Sequence, residues 1–96
     1  MEKASEIGQV HRVALAILLY LRTHPYAKDN LEGIASWWVN EHRALVEKGL
    51  ALLLTQGVIK QDRAMYSLSD ELRNDVMGTR IDIAVRDLQS FGGARN

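Results

Sequence analysis

Val46-Glu47-Lys48-Gly49-Leu50-Ala51-Leu52-Leu53-Leu54-Thr55-Gln56-Gly57-Val58-Ile59 is the stretch that decides the fold. On a wheel of about 100° per residue, Val46, Leu50, Leu53 and Gly57 fall on one arc, with Leu54 at its edge. Leu45 and Leu52 widen that arc to one side, and an apolar arc of this width must face a core. The opposite arc holds Glu41, Ala44, Glu47, Lys48, Ala51 and Thr55, all suited to solvent. Gly57 follows the last periodic residue, where a left-handed glycine ends a helix without steric cost. Beyond it the period changes from helical to alternating. Val58–Gln61 reads as one strand, Ala64–Leu68 as a second, and Gln61-Asp62-Arg63 as their connection.

Upstream, Val39-Asn40 reads as a turn, with Asn40 capping a helix from Glu41 to Gln56. Glu41 then lies in the first turn, where negative charge suits the helix dipole. A preceding helix spans Leu31 to Trp38, capped by Asp29 or Asn30, with Leu31, Ile34, Ala35 and Trp38 on its apolar face. The single proline, Pro25, holds His24 extended and ends the first helix near Thr23. That helix repeats apolar residues at Val10, Val13, Ala14, Ile17, Leu18 and Leu21, and Leu15, Leu19 and Tyr20 broaden the stripe, so it is central. Downstream, Ser69 caps a helical segment with Leu72, Val76 and Met77 as apolar positions. Gly78-Thr79 interrupts it, and Ile81, Ala84, Val85 and Leu88 resume a helical period. The expected organisation is an N-terminal lead (1–9), a core (10–68), a C-terminal helical extension (69–91) and a tail (92–96).

The order helix, helix, turn, helix, hairpin, together with particular residues, resembles the winged helix-turn-helix superfamily. The residues are the Ile34-Ala35 pair, Val46 eleven positions on, Leu50 and Leu53, Gly57-Val58-Ile59, and a wing ending in Tyr66-Ser67-Leu68. The fold class is therefore mainly α with a small β-hairpin: a winged helix-turn-helix with a C-terminal helical extension. The resemblance implies a sequence-specific DNA-binding transcriptional regulator, with the third helix in the major groove and the wing on the backbone. It places DNA contacts at Asn40, His42, Arg43, Lys48, Lys60 and Arg63, with Lys28 and Arg12 near a phosphate path. Arg43 suits guanine and Asn40 suits adenine or a phosphate. Many domains of this fold bind proteins instead. The alternative is thus a protein-interaction module without DNA binding.

Composition bears on that choice. The 96 residues fit one domain, and 47% apolar content supports a core. Formal net charge is zero, whereas a dedicated nucleic-acid binder usually carries a basic excess or a basic face. Glu41 and Glu47 also place carboxylates on the reading helix. No cysteine is present, which excludes disulfides and thiolate zinc sites. No signal peptide is visible. The most apolar early stretch, Val13 to Leu21, is shorter than the ~20 residues of a bilayer span. These features give a cytoplasmic expectation with no membrane partner.

No enzyme is expected. The serines lack a Gly-x-Ser-x-Gly context, and Gly92-Gly93 is not a strand-to-helix phosphate loop. His11, His24 and His42 lie in different elements without metal-ligand spacing, so neither metal nor cofactor is expected. Of Trp37-Trp38, Trp38 is assigned to the core beside Val46. Trp37 either points outward as a contact residue or lies over a neighbouring element. The extension exposes more apolar surface than a free tail should: it covers the first helix or Leu45 and Leu52, or it pairs with a second copy, and Ile81, Val85 and Leu88 are assigned to the second of these, a homodimer interface.

Overall fold

The computed structural model describes the backbone of residues 2–93 and the side chains of residues 6–90. Helix α1 (Glu2–Thr23) is followed by β1 (Lys28–Asp29) and by α2 (Leu31–Gly33), which runs into a π turn (Ile34–Trp38). Then come α3 (Arg43–Thr55), the hairpin β2 (Ile59–Asp62) and β3 (Met65–Leu68), a short α4 (Asp70–Arg73) and α5 (Thr79–Gly93). The result is mainly helical with a small antiparallel sheet, an order compatible with a winged-helix-like arrangement.

α1 ends where Pro25 requires. The Thr23 hydroxyl and the His24 N–H both reach the Tyr20 carbonyl, and Ala27 N–H closes a turn onto His24. The helix is longer than expected, because residues 2–9 are its first turns and not a lead. No proline or β-branched cluster interrupts that segment. Val13, Ala14, Ile17, Leu18 and Leu21 are fully buried, and α1 packs on both α3 and α5. It is the central element.

α3 presents the face that its wheel requires. Val46, Gly49, Leu50 and Leu53 are buried, whereas Ala44, Glu47, Lys48, Ala51 and Thr55 are exposed. Its end is a glycine-terminated cap. Gly57 adopts φ +74°, its N–H reaches Leu54 O at 3.0 Å, and Val58 N–H reaches Leu53 O at 3.2 Å. Its start differs from expectation. Asn40 lies outside the helix at φ +53°, and the cap position is His42, which makes no side-chain cap bond. Asparagine tolerates this left-handed conformation better than most residues, so Asn40 shapes the turn and leaves the helix end uncapped.

Gly49 is the contact point of α1 and α3. A Cβ built there meets Ala14 N at 3.2 Å and Val13 Cγ1 at 3.3 Å. Backbone cannot yield as a side-chain tip can. Gly49→Val is therefore expected to cost about 1–3 kcal/mol by overpacking, read as a lower urea midpoint at unchanged slope. Gly8→Ala, whose Cβ meets nothing within 4 Å, is expected to be neutral or stabilising.

The hairpin belongs to a three-stranded sheet of order β1-β3-β2. β1 pairs Lys28 with Ser67 and Asp29 with Tyr66. Asp29 is thus in a strand, and the α2 cap is Asn30, whose Oδ1 accepts from Gly33 N–H at 2.9 Å.

The extension is integral to the domain. Ile81, Ala84, Val85 and Leu88 are buried within the chain, where α5 packs on α1. This corrects the assignment of Ile81, Val85 and Leu88 to a dimer interface: their apolar surface is already covered by their own chain. Val76 and Met77, expected on a helical apolar face, instead sit in the α4–α5 turn, 97% and 83% exposed. α5 begins after Gly78 at φ +72° and is capped by Asp75, whose Oδ2 accepts from Arg80 N–H at 2.7 Å. Its backbone runs through Gly93, into the expected tail. Residues 94–96 of that tail lie outside the described residues.

Candidate nucleic-acid interface

The turn from the π turn into α3 sets what the outer surface displays. Val39 N–H bonds to Ile34 O at 3.2 Å, a five-residue reach that widens the end of α2. Trp38 turns inward and stacks on Tyr20, with ring centroids 4.6 Å apart, and Tyr20 stacks in turn on His24 at 4.4 Å. Trp38 is half-buried against the core, while Trp37 points outward, 82% exposed. That decides between its two expected placements.

Asn40, His42, Arg43 and Lys48 lie along the turn and the outer side of α3, and all are exposed. Lys60 and Arg63 lie on the β2–β3 hairpin. Most cations of α3 and the hairpin are paired. Arg43 Nη1 lies 2.9 Å from Glu32 of α2. Lys48 pairs with Glu6 of α1. Lys60 Nζ lies 2.8 Å from Asp70 of α4, which also pairs with Arg73. Arg12 Nη1 donates to Glu41 at 2.6 Å. Each cation is held by a carboxylate from a different element.

Two of those carboxylates are held below their usual range. For Glu41 the main cause is the hydrogen bond from Arg12. For Asp70 it is the hydrogen bond from Lys60, followed by that residue's charge. Both stay ionised well below neutral pH, so both pairs persist at any physiological pH. The Lys60–Asp70 pair is exposed on both sides, and exposed pairs of this kind add little to folding stability; in the Arg12–Glu41 pair the carboxylate is half-buried.

Arg63 is the exception. It stands at the tip of the β2–β3 hairpin, exposed, at φ +61°, and among the described residues it makes no ion pair. A non-glycine residue there is strained. Lys28, on β1, is likewise exposed with no ion pair among the described residues.

Sequence reasoning missed Glu6, Glu32 and Asp70 as part of this surface. Glu6 and Lys48 are 42 positions apart, and nothing local signals their pairing. An open surface pocket of about 630 Å³ lies elsewhere, between Leu19 and Arg22 of α1 and Met77, Asp82 and Gln89 toward α5. No group of three or more His, Asp or Glu that could hold a metal ion occurs among the described residues. No described helix is long and apolar enough to cross a membrane. Comparison with protein-family models, curated proteins and solved structures gave no match.

Proposed function

We propose that this chain is a winged-helix domain that binds duplex DNA, with α3 in the major groove and the β2–β3 wing against the backbone. The observation that carries the reading is Arg63: an exposed cation, without an ion pair among the described residues, held at a strained φ of +61° on the wing tip. A glycine would occupy that position without strain. Strain kept at an exposed position points to a role outside folding. α3 supports the reading, because its outer side, from His42 to Lys48, is exposed at the helix start, where base edges are met.

Arg63→Gly separates the two roles. It is expected to raise stability by about 0.5–1 kcal/mol, by relieving the left-handed arginine. It is also expected to weaken binding to a mixed-sequence 30-base-pair duplex and to reduce the salt slope by about 1, the loss of one phosphate contact. Unchanged affinity at low salt in the stabilised variant contradicts the role given to Arg63.

A second reading, a protein-interaction module on the same fold, is favoured by Trp37. A large aromatic side chain 82% exposed on a chain of zero formal net charge suits a contact hot spot. Absence of duplex binding at low salt, with a partner complex lost on Trp37→Ala, selects it over the first.

A further inference from the structure

Three of the cations assigned to DNA contact, Arg43, Lys48 and Lys60, are each paired with a carboxylate from outside α3 and the hairpin: Glu32, Glu6 and Asp70. We propose that Glu6, Glu32 and Asp70 are specificity determinants of the DNA surface, holding these cations back from sequence-independent phosphate contact. The inference rests on the DNA-binding reading and deepens it.

The argument is one of competing partners. Non-specific affinity for duplex DNA comes from cations that neutralise phosphates and release counterions. A cation already neutralised by a carboxylate must give up that partner first. The carboxylate then remains beside the phosphate and repels it. All three pairs are exposed on both sides, with side-chain exposures of 43–67%, so their contribution to folding stability is small. Their effect falls instead on what approaches the surface. They suppress the phosphate term and leave Asn40, exposed and uncharged in the turn before α3, to contribute direct contacts. Discrimination between sequences then depends on base edges more than on backbone charge. Zero net charge is consistent with such an interface.

The test uses the full chain, a mixed-sequence 30-base-pair duplex as probe, and fluorescence anisotropy at salt from 50 to 200 mM. The variants are Glu6→Gln, Glu32→Gln and Asp70→Asn, singly and combined. Asp87→Asn, an exposed carboxylate on α5 with no ion pair among the described residues, is the control for a simple change of net charge. Each released cation is expected to steepen the log–log salt slope by about 0.9, a further roughly 3.5-fold loss of affinity across that range and roughly 40-fold for the triple variant. Binding at 50 mM tightens in the same order. In an Arg43→Gln background the effect of Glu32→Gln vanishes, because no cation is left to release. Slopes equal to the native chain's, or a gain from Asp87→Asn as large as that from Glu32→Gln, overturn the inference while leaving DNA binding in place. No binding by the native chain or any variant at 50 mM overturns the DNA reading itself. Circular dichroism checks folding, and the single variants carry the test should the triple variant not fold.

Discussion

A chain ending at Gly78 is expected to lose cooperative thermal unfolding altogether. Ile81, Val85 and Leu88 are each at most 5% exposed and pack within the chain where α5 meets α1. Burying three such side chains is worth roughly 5–9 kcal/mol by transfer. That is comparable with the whole stability of a typical domain, about 5–15 kcal/mol. Truncation also uncovers the central helix on its α5 side. Far-ultraviolet circular dichroism on heating should show a broad slope in place of a transition. Ile81→Asp is the single-residue version: it is expected to lower the melting temperature sharply. A truncated chain that melts cooperatively near the native temperature contradicts the packing. So does an Ile81→Asp variant of native stability whose only change is a smaller mass in solution.

Leu50→Ala should be, with Leu53→Ala, among the most damaging single truncations on α3. Leu50 is 1% exposed, one residue from the Gly49 approach to α1, and has no solvent to collapse toward. Large-to-small changes at such sites cost about 2–5 kcal/mol. In a domain of this size that lowers the melting temperature by roughly 10–30 °C. Ala51→Gln, the next residue on the exposed side, is expected to stay within about 0.5 kcal/mol of the native chain. Equal effects at 50 and 51 rule out the orientation of α3 described above.

That orientation was legible because it depends on a local period. The arc of Val46, Leu50 and Leu53 and the stop at Gly57 are set within one helix, so sequence spacing is enough. β1 was not legible: two residues, one of them Asp29, have no period to read. Asn40 was misread because the same side chain suits both a helix cap and a left-handed turn. Residues 2–9 were misread because a polar first turn looks like a lead until its partner is seen; Glu6 meets Lys48 across the fold. For Ile81, Val85 and Leu88 the sequence showed an apolar face and could not say which surface covers it. The candidate site was half legible for the same reason. Positions on α3 and the wing follow from pattern, whereas the carboxylates that neutralise them come from α1, α2 and α4 through tertiary packing.

The most direct measurement of the central claim is amide chemical-shift mapping of the full chain with a mixed-sequence duplex at low salt. Binding through α3 and the wing predicts shifts concentrated at Asn40, His42, Arg43, Ala44, Glu47 and Lys48 and around Lys60 and Arg63, with α5 unmoved. Shifts absent at every ratio of duplex to protein, or confined to α5 and the Val76–Met77 turn, contradict it.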